Sequence, residues 1–549
     1  MNLKSNEGLS PREFHKCIGR FLYETGTEFE AIQSDSFQLM LGLKCGQTAY
    51  SIPSYDDLRG WILRDLLKEM QLYVNNIKSS WESTGCSMLL DGWEDSKGQN
   101  LVNVLVTCPK GTVYIRSADI ANFHPDSDTV EVFFEEVLAD VGVKNVIQIL
   151  SHSASPTMEA VGKQLMDKYK TFFWTVNGPY CIELVLEKLG MSGFIREIFK
   201  KAKTITRFVH GHASVLRLLR DQTSVHDLVK PSKIRSTMPY LTLENMVFEK
   251  VNLEKLFLSS AWKSLKLAST AEGKMVTELV ADRSFWAGAI LVLKATCPLV
   301  KVLDVMNNSD DSQLGHIYET MDQAKETIRQ ELKDLRSLYM PFWEAIDNIW
   351  NQYLHSPLHA AGYFLNPNLF YRNDFYVDVE VSSGLLCCIV RLGGDQRTRD
   401  EIMKQVDMYQ NASGAFGLGS ANLHSYVSPV TWWLEYGKEY PELQKLAIQI
   451  LSQTCSGASK YKLKRSVAEN LLSMRRNQIE QQRLTDLAFV HYNLQLQNFE
   501  SCFTDDISIY EMNQIEDWIG DNAQTLVSPS DEPTWMDLDC RDSTNAASL

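Results

Sequence analysis

Three short segments decide the fold: Cys86–Asp91 (CSMLLD), Leu101–Thr107 (LVNVLVT) and Val113–Ser117 (VYIRS), the last two joined across CPKG at 108–111. Apolar, β-branched runs linked by a tight Pro-Lys-Gly turn read as a β-hairpin, with Cys86–Asp91 a strand ahead of it. Further on, Thr129–Asp140 puts Val130, Phe133, Phe134 and Val137 on one helical face. Val146–Leu150 is strand-like, Thr157–Lys168 helical, Phe172–Val176 (FFWTV) a strand and Cys181–Leu189 a helix. The expected order is therefore β-β-β-α-β-α-β-α.

That order combines an antiparallel hairpin with parallel crossovers, which predicts an α/β fold with a ribonuclease-H-like mixed sheet. No phosphate-loop or dinucleotide glycine pattern supports a doubly wound alternative. Outward from the sheet, residues 11–80 read as helical, with a Ser54/Asp57 capping box ahead of Leu58, Trp61, Ile62, Leu66 and Met70. Gly193–Tyr353 is helical in pattern almost throughout, so a large all-α insertion interrupts the strand-bearing part. Helices return over Trp432–Leu494, where Leu443, Ala447, Ile448, Ile450 and Leu451 make one apolar face and Leu484, Leu487, Val490 and Leu494 another. The domain reading is 1–80 N-terminal helices, 81–195 sheet core, 196–355 helical insertion, 356–500 C-terminal helices and 501–549 tail.

Composition restricts the class. With 44% hydrophobic and 22% charged residues over 549 positions, wholesale disorder, collagen and coiled-coil architectures are excluded. The net charge is −15, but Ser501–Leu549 holds eleven acids and one arginine, a net of −10, leaving −5 for the first 500 residues. The tail therefore reads as a disordered solvating end, in which Trp518 and Trp535 admit a docking role. No apolar run approaches the ~18 residues of a membrane helix, and the start has no apolar signal core. Eleven scattered cysteines without a Cys-x-x-Cys read as reduced thiols, giving an intracellular expectation and no structural zinc.

Several segments between Tyr55 and Leu494 resemble the hAT-superfamily transposases, and more closely the plant proteins derived from them. They are PSYDDLRGWIL, the DGW at Asp91–Trp93, ITRFVHGHASVL, SPLHAAGYFLNP, TWWLEYG, LAIQILSQTCS and RLTDLAFVHYNL, taken in order and spacing. The resemblance implies a ribonuclease-H-like catalytic core interrupted by a helical insertion, C-terminal helices that dimerise, and a nuclear location. It assigns dimer contacts to Trp432, Trp433, Leu443, Ile448, Leu451, Leu484, Leu487 and Val490.

Strand transfer on such a core needs two divalent ions held by converging carboxylates, since hard Mg²⁺ takes oxygen ligands. The first acid the resemblance implies is present as Asp91. The second position holds His152, an imidazole that suits zinc, copper or iron better than magnesium. The third falls at about Lys462, where an ammonium group repels a cation; Glu469 lies seven residues on. The Cys-x-x-His pair of the family is replaced at Asn177 and Tyr180, with Cys181 alongside. The sequence thus reads as a degenerate remnant, Asp91, His152 and Lys462, with no cofactor and no metal. Asp91 is expected to face His152 and Lys462 and pair without metal.

Lys460, Lys462, Lys464 and Arg465 alternate over six residues and are the candidate nucleic-acid contacts; Arg475–Arg476 and Lys200, Lys201 and Lys203 are further basic clusters. Cys387–Cys388 and His210, His212, His355 and His359 read as packing or capping groups. The expected function is a non-enzymatic nuclear homodimer or heterodimer acting by protein and weaker DNA association in gene regulation, with no membrane partner. The alternatives are an active metal-dependent strand-transferase using Asp91 with Glu159 and Glu469, and a sequence-tolerant DNA binder using Lys460–Arg465.

Overall fold

Two serine caps begin the N-terminal helices. Ser10 Oγ accepts from Glu13 N at 3.2 Å while the Glu13 carboxylate accepts from Ser10 N at 2.9 Å, a reciprocal cap that starts α1 (Pro11–Thr25). Gly26, at φ 60°, ends it in the left-handed region that glycine tolerates. The Ser54–Asp57 box expected from the sequence is also present. The turn it starts is kinked at Gly60 and leads into α2 (Leu63–Lys78). In this computed structural model the described residues are 10–45, 51–95, 97–120, 128–223, 228, 237–308, 313–417, 427–472 and 478–502.

The sheet comprises β1 (Cys86–Glu94), β2 (Asn100–Cys108), β3 (Gly111–Asp119), β4 (Val146–Ser151) and β5 (Phe173–Val176) in the spatial order β3-β2-β1-β4-β5. β1–β2 and β2–β3 are antiparallel; β1–β4 and β4–β5 are parallel. Helices α3 (Asp128–Val141) and α4 (Pro156–Tyr169) make the crossovers. The architecture is mixed α/β with many helices, and the strand and helix order read from the sequence is the observed one. β1 is central because its pleat is apolar on both sides. Met88 and Leu90 pack with Val74 and Ile77 of α2, Phe134 and Val137 of α3, and Val161 and Leu165 of α4.

The chain folds as two compact units. Among the described residues, the second unit is helical, comprising Gly178–Ser309 and His316–His355. Its longer helices are α5 (Gly178–Gly190), α6 (Gly193–Gly211), α7 (Ala213–Thr223), α8 (Ala271–Ala281), α9 (Arg283–Asn308), α10 (Ile317–Glu331) and α11 (Arg336–Ile349). The first unit joins the N-terminal helices, the sheet and the C-terminal helices. These last are α12 (Pro357–Leu365), α13 (Val379–Leu392), α14 (Pro429–Tyr436), α15 (Pro441–Leu451), α16 (Ser466–Leu472) and α17 (Gln478–Cys502).

The C-terminal helices close the sheet's second face. Leu89, Trp93, Leu101, Leu105 and Tyr114 pack against Ala468 and Leu471 of α16 and Ala488, Tyr492 and Leu496 of α17. The opposite side of α17, through Val490 and Leu494, buries against Phe14, Ile18 and Leu22 of α1 and Leu66 and Met70 of α2. Residues 1–80 are therefore not a separate body; their apolar faces need α17 to leave water.

The same packing shows how the chain itself holds the side chains expected at the dimer contact. Trp432, Trp433, Leu443, Ile448, Leu451 and Val490 are all buried within this single chain, while Leu484 and Leu487 are half-buried against the sheet-side and N-terminal clusters. Trp433 Nε1 donates to Leu365 O at 2.8 Å, and Trp432 stacks on Phe416 with centroids 5.8 Å apart. An apolar stripe seeks any apolar cover, and here the chain supplies it. The acidic tail beyond residue 502, with Trp518 and Trp535, and Arg475–Arg476 lie outside the described residues.

Candidate functional site

Register fixes what meets at the carboxyl ends of the central strands. Leu89 pairs with Leu150 in the parallel β1–β4 ladder, so Asp91 and His152 emerge at the same end. Asp91 lies two residues past Leu89, on the pleat face covered by α16 and α17. Its antiparallel partner on β2 is Asn103, whose Oδ1 accepts from Ser117 Oγ at 2.6 Å.

The cation that reaches Asp91 is Arg465, at 3.2 Å from Nη2 to Oδ1. Lys462, the residue expected there, is exposed at the end of a short 3₁₀ turn, where its backbone enters the left-handed region at φ 48°. That turn is anchored by the buried Tyr461, whose hydroxyl lies 2.7 Å from Thr112 Oγ1. The chain then swings back, and the third residue after Lys462 delivers its guanidinium to the sheet. Arg465 also lies over the Trp93 ring at 5.1 Å, a cation–π contact. Glu469, one turn further into α16, accepts from Trp93 Nε1 at 3.0 Å.

Burial governs the electrostatics. Asp91 is only 7% exposed, and desolvation raises its pKa by more than the Arg465 charge and hydrogen bond lower it. Burial, and secondarily Arg465, push the His152 imidazole down to about 4, so the ring is neutral at pH 7. Its Nδ1 has no hydrogen-bond partner among the described residues. A Cβ at Gly92 would lie 2.3 Å from this ring, so the glycine of Asp91-Gly92-Trp93 is required by close approach. Tyr492, pushed up to about 12 mainly by burial and further by Asp91 and Glu469, accepts from Ala468 N at 3.2 Å.

The other positions singled out in the sequence go elsewhere. Asn177 Oδ1 accepts from Gly457 N at 2.8 Å, tying the end of β5 to the loop after α15. Cys181 is buried on α5, the helical unit's first helix, as is Cys388 on α13, while Cys387 is exposed. Glu159 is exposed in the first turn of α4. His210 and His212 contact the carbonyls of Leu228 and Phe208, His355 contacts the Tyr318 hydroxyl, and His359 is fully buried. Of the basic run, Lys464 Nζ donates to Thr25 O at 2.6 Å and Lys460 covers the Tyr461 ring at 5.0 Å.

Sequence reasoning missed the roles of Arg465, Trp93, Glu469 and Tyr492. The available signal was the i, i+4 spacing of Arg465 and Glu469, which puts both on one side of a helix start. It also missed a buried polar chain: Gln148 Nε2 donates to Ser87 Oγ at 2.8 Å, and Ser87 Oγ to Gln453 Oε1 at 2.8 Å. Thr175 Oγ1 completes it by donating to Gln148 Oε1 at 3.0 Å. These bonds clamp β1, β4 and β5 to the loop that follows α15.

Residues 53–205 match a domain of unknown function, DUF659, and residues 415–494 match the hAT family C-terminal dimerisation region. No curated protein matches the chain. The first match spans the sheet and the second contains Arg465 and Glu469, so the site is built where the two matched regions meet. The divalent pair implied by transposase chemistry does not fit these side chains. Asp91 is held by a guanidinium, Glu469 by an indole N–H, and His152 offers a neutral ring packed against backbone. Among the described residues no three His, Cys, Asp or Glu side chains gather as a metal-binding group. No helix among them is long and apolar enough to cross a membrane.

Proposed function

Because the chain is an hAT-superfamily transposase-related protein with a dimerisation region, we propose that it works by association and does not cut DNA. In this reading the sheet is a ribonuclease-H-like core of domesticated transposase origin. It acts in the nucleus as a homodimer or a heterodimer with related chains, holding protein and DNA partners in gene regulation. The observation that carries it is the Arg465 guanidinium bound to Asp91 at 3.2 Å. A cation fixed on the first acid opposes the dications that phosphoryl transfer to or from DNA requires.

Physically, the remnant has become a fastener. Arg465 joins β1 to the start of α16, Glu469 joins α16 to Trp93, and the neutral His152 fills the space above Gly92. The residues that would have held metal now hold the C-terminal helices on the sheet. The test is incubation of the full chain with Mn²⁺ and transposon-end oligonucleotides, with nicked and joined products separated on a denaturing gel. No product above background is expected. Product that disappears on Asp91→Ala would overturn the proposal.

A further inference from the structure

The apolar residues of the C-terminal helices are largely used inside the chain: Trp432, Trp433, Leu443 and Ile448 are buried. A different apolar face of the first unit is left in solvent. Helix α13 (Val379–Leu392) starts on the Asp378 carboxylate, which accepts from Val381 N at 2.8 Å, and it buries Val381, Gly384, Leu385, Cys388 and Ile389. That side sits tightly on α12. Cys388 Sγ donates to Pro357 O at 3.4 Å, and a Cβ at Gly384 would lie 2.5 Å from the Cβ of Ala360.

Helical geometry gathers the outward residues. At ~100° per residue, Val379, Ser383, Leu386, Cys387 and Val390 fall within about 100° of arc. All five are exposed, Val379 by 83%, Val390 by 60% and Leu386 by 47%, and none is charged. Arg391, next in the chain, turns away to the start of β5, donating to Phe172 O at 2.9 Å and Met166 O at 3.3 Å. A surface helix ordinarily sets polar and charged residues on its outer face, and a helix apolar on both sides is one that something covers.

We propose that the outer stripe of α13 is the core of a contact with a second copy of this chain, the two α13 helices lying antiparallel across a twofold axis. Two observations name the occupant. The stripe is continuous with the matched dimerisation region, 415–494, because α13 packs on α12, and α12 is bonded to that region where Leu365 O accepts from Trp433 Nε1 at 2.8 Å. It is also self-complementary: a twofold sets Val379 against Val390 and Ser383 against Leu386, with no charge to bury. The ~16 Å from Val379 to Val390 is too little for the ~800 Å² that a standard interface takes from each partner, so the stripe is its charge-depleted core and the polar surroundings its rim. This rests on the association reading and names the face through which the homodimer forms.

The test is light scattering of the full chain, which is expected to give twice the single-chain mass. Ser383→Arg removes no apolar side chain and sets like charges about 4.5 Å apart along the paired helices, so it is expected to halve that mass. Phe248→Glu, at an 82% exposed site of the helical unit, is expected to leave the mass unchanged. An equimolar mixture of Ser383→Arg and Ser383→Glu is expected to recover the doubled mass, which misfolded variants would not do. Maleimide labelling of the exposed Cys387, read by peptide mass spectrometry, is expected to slow as the wild-type concentration rises. A doubled mass in Ser383→Arg would overturn this face while leaving dimerisation standing. A single-chain mass for the wild type would overturn both; fast labelling at every concentration would then leave the stripe to another protein, and slow labelling would mean that a segment of the same chain covers it.

Discussion

The segment 460–494 and helix α6 read alike in the sequence, each combining clustered cations with helical apolar periodicity, yet the fold uses their cations differently. In the C-terminal segment, Arg465 reaches across the sheet to Asp91, Lys464 caps the end of α1, and the leucines pack on the chain's own helices. In α6 the apolar face is just as well buried, Lys201 pairs with Asp282, and Lys200 and Arg207 are exposed. The difference teaches that the role of a charge cluster is set by which folded neighbours its cations reach, not by its sequence pattern. Segment 460–494 has three such neighbours, the sheet, α1 and α2.

That contrast can be broken most forcefully in the C-terminal helices. Trp432→Ala, which empties a fully buried site, is expected to cost about 3–5 kcal/mol of stability in denaturant unfolding. Were Trp432 a dimer contact instead, light scattering would report a lower mass while the unfolding of the chain stayed unchanged.

A smaller effect follows from His152. Its folded pKa lies at about 4, below the ordinary 6.5, so the unfolded chain binds the extra proton between those values. Stability therefore falls as pH drops from 6.5 towards 4, by up to about 3 kcal/mol. Asp91, whose folded pKa is raised, works in the opposite sense at the acid end, because the native state takes up that proton first. His152→Gln is expected to flatten the decline; equal acid sensitivity in both proteins would contradict the buried, neutral ring.

The smallest expected change concerns Arg465→Ala. Leaving Asp91 buried without its partner is expected to cost about 1–2 kcal/mol, discounted because Arg465 is itself 44% exposed. The loss should shrink as pH falls and the buried Asp91, whose pKa is raised, takes up a proton. Adding Asp91→Asn should recover part of it. Strict additivity in that double-mutant cycle would mean the pair is not coupled and would remove the fastener from the account.

Much of the fold was legible because alternation and 3.6-residue periodicity are local signals: the β-β-β-α-β-α-β order, the Ser54 cap and the helical insertion all rest on neighbours within a few turns. The site was half legible. Asp91 and His152 could be located from the ends of their strands, and the parallel register brings them to one end. Lys462 was displaced by three residues because the path after Tyr461 depends on a left-handed turn and a bond to Thr112, neither of which a linear reading supplies. How the C-terminal apolar stripe packs within the chain was illegible for a related reason, since an apolar face does not state which surface will cover it.

By itself, the sequence determined the elements and their order, since each depends on residue type and short-range spacing. Only the tertiary structure decided that Arg465 pairs with Asp91 and that α17 is shared between the sheet and the N-terminal helices. Those outcomes are set by contacts spanning hundreds of residues, and by burial, which fixes the worth of a charge or a leucine only once its neighbours are in place.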